Sequence, residues 1–165
     1  MKKILLLSFL LLSACGFSPL YKEASTSAGN VPVKVAPIPD QYGFAMRQII
    51  LDRLGNNSDT QYTLTVSAPA FSSWDQTIDD KNFATMMGIT GYSHYILTDN
   101  KTHKEILNST TSLNSSYSVV KDPYATTVAE RKVKKELANQ LAEQISLHVL
   151  GVLTGIHNES QTVSN

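Results

Sequence analysis

Cysteine is almost absent from this 165-residue chain: there is one, Cys15. A single thiol excludes a disulfide framework within the chain and any cysteine-based zinc site. Histidine is scarce as well, and four scattered residues leave little for other metal chemistry. Neither sign of charge is in excess, since 14 basic residues meet 14 acidic ones for a formal net charge of zero. Nucleic-acid binders usually carry a strongly basic balance, so no nucleic-acid partner is expected. Long apolar runs are missing too; the longest covers about nine residues, too short to span a bilayer as a helix. What is present is a 42% apolar composition in a chain of one-domain length. That suffices for a core and excludes wholesale disorder.

The first residues carry an address. Lys2 and Lys3, the apolar run 4–12 and the small residues Ser13 and Ala14 have the order of a secretory signal peptide, so 1–14 is excluded from the fold. Leu12-Ser13-Ala14-Cys15 resembles a bacterial lipobox, in which the cysteine is acylated and becomes the new N-terminus. The alternative is an ordinary cleavage site with a cysteine beside it. Each buried CH₂ contributes about 0.8 kcal/mol, so the three chains usual for bacterial lipoproteins make a permanent anchor in the lipid membrane. Gly16 follows the cysteine where aspartate does not. By resemblance to lipoprotein sorting in Gram-negative bacteria, that implies the outer membrane, on its periplasmic side. Five Asn-x-Ser/Thr triplets, at Asn56, Asn100, Asn108, Asn114 and Asn158, then reflect only an abundance of these residues.

Residues 15–30 read as a lipidated start and a flexible arm. A single α+β domain follows over 31–155, then a disordered polar tail over 156–165. Val31, Val33 and Val35 alternate as a strand, which Pro32 and Pro37 confine to an edge. Helical spacing of Phe44, Ile50, Leu51 and Leu54 predicts a helix over 42–54, capped by Asp40 and stopped at Gly55. Tyr62, Leu64 and Val66 alternate as a half-buried strand ended by Pro69. Residues 71–82, with Trp74 and three aspartates, read as a loop. Residues 83–98 and 105–120 predict a hairpin around Asp99-Asn100-Lys101, its first strand bent at Gly88 or Gly91. Asp122-Pro123 opens a long amphipathic helix, with Ala125, Ala129, Val133, Leu137, Leu141, Ile145 and Val149 in steps of four, ending near Gly155. The order β-α-β-β-β-α predicts two helices on one face of a small, largely antiparallel four-stranded sheet.

Catalytic chemistry is hard to find. Ser93 and His94 adjoin, but neighbours in a strand point to opposite faces. Asp75, Asp79 and Asp80 lack EF-hand spacing and read as a solvated acidic loop. His103 lies beside a turn and His148 on the long helix. No phosphate-cradling glycine loop and no nucleophile elbow occur. Neither an enzyme nor a cofactor nor a metal site is expected. Two other features stand out. Over 109–120, eight of twelve residues are Ser, Thr or Asn and none is charged. Such groups both donate and accept hydrogen bonds. They suit either a solvated sheet face or a second polar wall such as a β-barrel interior, with Ser109, Thr111, Asn114 and Ser116 as interface candidates. Arg131, Lys132, Lys134 and Lys135 cluster near the start of the long helix. They form either a solvated face with Glu130 and Glu136, or a site for a phosphorylated ligand.

Three stretches together bring a family into view. Cys15-Gly16-Phe17-Ser18-Pro19-Leu20-Tyr21 resembles the mature start of lipopolysaccharide-assembly lipoproteins of the LptE family, alphaproteobacterial type. Arg47 followed by Leu51-Asp52-Arg53-Leu54 resembles that family's first helix. Asp122-Pro123-Tyr124-Ala125 with Ala129-Glu130 resembles its C-terminal part. The resemblance implies an outer-membrane lipoprotein that plugs and helps assemble the LptD β-barrel and assists lipopolysaccharide transport to the surface. The polar strand would then meet the barrel wall, and the basic cluster the phosphates of lipopolysaccharide. Competing readings are an accessory lipoprotein of an envelope lipid ABC transporter and an anchored hydrolase. Cys15→Ser should abolish acylation and move the protein out of the membrane fraction; unchanged fractionation and unchanged globomycin sensitivity would refute the anchor.

Overall fold

A computed structural model of the chain describes residues 32–55, 60–78, 80 and 83–162. The signal peptide, Cys15 and the arm therefore lie outside the described residues. The elements are β1 (Val33–Val35), α1 (Asp40–Leu54), β2 (Tyr62–Val66), β3 (Ala70–Ile78), β4 (Ala84–Asp99), β5 (Glu105–Ser118) and α2 (Pro123–Thr162).

Local chemistry explains most of the boundaries. Asp40 has a positive φ of 68°, and its Oδ1 accepts the backbone N–H groups of Tyr42 and Gly43 at 2.6 and 2.8 Å, so the expected cap of α1 is in place. Gly55, at φ 82°, closes α1 with its N–H on the Leu51 carbonyl. Asp122 Oδ1 accepts the Tyr124 N–H at 2.9 Å beside Pro123, as expected for the start of α2. The β4–β5 turn is held by Asp99, whose Oδ1 accepts from the N–H groups of Lys101 and Thr102. Those bonds, the Thr102 one foremost, hold the Asp99 carboxyl below the usual range.

The architecture is α+β, as expected, but the sheet has five strands in mixed directions rather than four. The additional strand is β3, which lies where a loop was expected. It is exposed beyond its first two residues, so no buried alternation betrays it. The short β1 pairs with β2 in parallel, and all other pairings are antiparallel. The 16-residue β4 is the spine. On one side β2 pairs with its C-terminal part and β3 with its N-terminal part, while β5 runs along the other side. No register shift falls at Gly88 or Gly91; the shifts lie at Asp75–Ile78 and at Leu97/Thr98.

Both helices cover one face of this sheet. Tyr42 of α1 meets the Phe71 ring edge-on, and Lys134 of α2 stands over the same ring at 5.8 Å. Further along, Arg53 of α1 reaches Glu143 of α2 at 3.4 Å. The two helices therefore run side by side in the same direction. From α1 the core takes Met46, Ile50 and Leu54; Phe44 is 63% exposed, which corrects the expected stripe. Phe44 is off the four-residue ladder that Met46, Ile50 and Leu54 define. From α2 it takes Leu137, Ala138, Leu141, Ala142, Ile145 and Val149. The end of α2 also needs correction: the helix continues past Gly155 to Thr162. Among the described residues, no helix is long and apolar enough to cross a membrane.

Leu141→Ala, at a fully buried site, should cost about 2–5 kcal/mol. Leu147→Ala, at a site 63% exposed, should change stability by less than about 0.5 kcal/mol. Urea unfolding of the two variants beside wild type checks the assignment of the stripe.

Candidate functional site

Side chains alternate across a strand, so parity sorts β4 and β5 into two faces. On β4, Ile89, Gly91, Ser93, Tyr95 and Leu97 are buried toward the helices, while Tyr92 and His94 point the other way and are exposed. On β5, Asn108, Thr110, Ser112, Asn114, Ser116 and Ser118 are exposed on that same outer face. With Ser72 and Trp74 of β3 they form a broad surface that no helix among the described residues covers. Between Gly88 and His94 this surface carries no Asp, Glu, Lys or Arg; toward its far end Lys34 stands in register with Thr63 and Thr98, and the Glu105 carboxylate accepts from Asn108 Nδ2 at 3.0 Å. Its polar groups partly satisfy each other: Thr90 Oγ1 donates to Asn114 Oδ1 at 2.7 Å, and His94 Nε2 lies 2.8 Å from Asn108 Oδ1.

The expected interface residues divide across the sheet. Asn114 and Ser116 sit on the open face, whereas Ser109 and Thr111 turn inward beneath α2. Thr111 donates to the Tyr95 hydroxyl at 3.4 Å, and that hydroxyl lies 2.6 Å from His148 Nδ1. Thr111 and His148 thus serve to satisfy a buried tyrosine. Ser93 is buried and donates to the Ser67 carbonyl at 2.9 Å, with the His94 ring on the opposite face. No direct nucleophile–base pair exists there. Asp79 lies outside the described residues, and among the described residues no cluster of three or more His, Cys, Asp or Glu could hold a metal ion.

The four cations do not share one surface either. At 100° per residue, consecutive helix positions diverge. Lys134 turns toward the sheet, paired with Glu130 and lying over Phe71. Tyr117 shares this corner; burial first, then the Glu130 charge, push its phenol up, while Lys134 pulls it down. Arg131, Lys132 and Lys135 are exposed and form no ion pair among the described residues.

Trp74 and Tyr92 escaped the sequence reading. Trp74 lies opposite Gly88 on the outer face. A Cβ built on Gly88 would fall 2.2 Å from Trp74 Cε2, 2.4 Å from Cζ2 and 2.7 Å from Nε1. An atom beside the ring edge would come at least as close to Cζ2 as to Cε2. These values place it above the ring plane, so the indole lies face-down on the bare glycine backbone. Its other surface is presented to solvent, with the residue 43% exposed. No pattern in the sequence pairs Trp74 with Gly88 until the β3–β4 register is known.

No protein-family model matches the sequence, and no curated protein matches it. Solved structures do share the fold. A presumed lipoprotein from Caulobacter crescentus superposes with a TM-score of 0.58 at 19% identity, covering 80% of this chain and 98% of its own. The rare lipoprotein B from Shewanella oneidensis gives 0.57 at 11% identity, covering 81% and 98%. An uncharacterised lipoprotein B from Nitrosomonas europaea gives 0.62 at 11% identity, covering 78% and 88%. The fold of this chain is therefore one that bacterial lipoproteins adopt.

Gly88→Ala should force the indole off the strand. Trp74 is the only tryptophan in the chain, so its emission should move to longer wavelength as the ring enters water. An unchanged spectrum would mean that the ring does not rest on Gly88.

Proposed function

We propose that the chain is an outer-membrane lipoprotein, anchored on the periplasmic side through acylated Cys15. In this role it seats in the lumen of a large β-barrel of the LptD type, helps that barrel assemble and assists lipopolysaccharide transport. The observation that carries the proposal is the open, uncharged face and edge of β5. From Ile106 to Ser118 the strand holds no charge and no proline. Its outer edge is paired to no strand among the described residues. Free proteins normally blunt so long an edge with lysine, proline or a short strand, because unpaired backbone groups invite aggregation. An edge left undefended suits a chain that spends its life against a partner.

Hydroxyl and amide groups suit a barrel wall for a second reason. Barrel interiors are polar, and docking a charge there costs desolvation unless a counter-ion waits in register. Groups that both donate and accept adapt to either neighbour. The fold shared with solved lipoproteins and the lipobox resemblance supply the anchor. Arg131, Lys132 and Lys135, which have no protein counter-ion among the described residues, suit the phosphates of lipid A. Lys134 is committed to Glu130 and Phe71 and is left out of that role.

Affinity purification of the tagged protein from detergent-solubilised outer membranes should recover a large β-barrel in near one-to-one yield. Thr110→Lys with Ser118→Lys, both on the exposed face, should lower that yield severalfold without unfolding the protein. Recovery of an ABC-transporter component, or of no barrel, would overturn the proposal.

A further inference from the structure

We infer that the Trp74 side of the outer sheet face is a binding platform for a neutral oligosaccharide, with Trp74 and Tyr92 as its two stacking surfaces. Three observations point to this chemistry. The indole lies flat on Gly88 and shows its free surface to solvent, as the Gly88 contact distances require. Tyr92, 46% exposed, stands on the same face of β4 four residues away, about 13 Å along the strand. Ser72, Thr90 and Asn114 flank the two rings, and no formal charge lies between them.

A pyranose ring has one surface of C–H groups and a rim of hydroxyls. The C–H surface packs on an aromatic plane, removing apolar area from water. Rim hydroxyls need partners that both donate and accept, which Ser, Thr and Asn supply. A phosphorylated or carboxylated ligand would find no cation here, and an acyl chain would strand the surrounding hydroxyl and amide groups. Two rings at this separation match a short oligosaccharide rather than a single sugar. The flat indole also shields the glycine backbone, a structural role; Tyr92 has no glycine opposite it, being paired with Ala70 and Ser112. Under the proposed function, on which the choice of source rests, the ligand is the sugar chain of the transported glycolipid. The β5 side of the face then meets the barrel wall, and the β3–β4 side faces the passage.

The test uses the full-length chain in detergent and two probes: phosphate-free polysaccharide released from lipopolysaccharide by mild acid, and lipid A. Trp74 emission should shift on titration with the polysaccharide, because it is the sole tryptophan. By calorimetry, Trp74→Ala and Tyr92→Ala should each weaken polysaccharide binding about tenfold. Thermal unfolding of each variant separates lost binding from lost fold, and Tyr92→Ala should leave the melting temperature within a few degrees. The combined Arg131→Ala, Lys132→Ala, Lys135→Ala variant should bind the polysaccharide like wild type. A wild type that binds only lipid A, or a Tyr92→Ala variant that folds and binds unchanged, would overturn the platform while leaving barrel recovery untouched. Loss of barrel recovery with polysaccharide binding intact would instead refute the functional proposal and keep the platform.

Discussion

Everything in this molecule follows from the long helix lying on one side of one long strand. Leu137, Leu141, Ile145 and Val149 of α2 are buried in the core with the inward-facing residues of β4. Burying such side chains contributes about 1.5–3 kcal/mol apiece, and with no disulfide available within the chain the core must carry the stability. α1 runs beside α2 on the same face, so both apolar stripes are spent there. No element among the described residues covers the opposite face. Alternation along β4 then decides two matters at once. Odd positions build the core; even positions, Tyr92 and His94 among them, stand on a surface open to partners.

An open face must remain soluble without helices over it. Most sheets in that position use lysine and glutamate. Here the same task falls to hydroxyls and amides, tied by Thr90–Asn114 and His94–Asn108 bonds. Such a surface is wet yet carries almost no field. It gives up little when pressed against another neutral polar surface, since no ion has to be desolvated. Trp74 fits the same economy. Its indole covers the one stretch of bare backbone that Gly88 leaves, and so meets the sheet with its face rather than its edge.

Elements with strong local signals were legible in the sequence. Asp40 and Asp122 announced their caps, the hairpin turn stood at Asp99, and the four-residue ladder of α2 showed its buried stripe. What failed did so for physical reasons. β3 has no buried alternation, so a strand whose flank is solvent looked like a loop. Phe44 is apolar, but the helix ladder through Met46 and Ile50 passes it by. The basic run was adjacent in sequence, but a helix gathers residues three or four apart: Arg131 and Lys132 stay with Lys135 on the exposed side, while Lys134 turns to Glu130 and Phe71. Parity alone separates Ser109 and Thr111 from Asn114 and Ser116, so that division was within reach of the sequence. Which parity faces the helices needed the register with β4. The Trp74 platform could not be read at all without β3.

The arrangement also has a direction. β1 enters beside Tyr62, which pairs with Asp99 at the C-terminal end of β4. α2 starts at the other end, where Ser118 pairs with Met86. Arg131, Lys132 and Lys135 therefore lie toward the end remote from the point where the chain enters. β4 at 16 residues measures about 54 Å, and the full bilayer with its headgroups is about 40–45 Å. A tether on Cys15, through residues 15–31, reaches at most about 60 Å. If acylated Cys15 is held in the periplasmic leaflet and the β1 entry end stays near it, a domain of this length standing upright carries its cations to the opposite leaflet. Under the proposed function, that is where a phosphorylated glycolipid leaving the barrel would arrive. The same posture would set Trp74, opposite Gly88, in the half of β4 nearer the α2 start and Tyr92 at the strand's middle. Under the proposed function, cations and saccharide platform would then address two parts of one glycolipid, its phosphates and its neutral sugar chain.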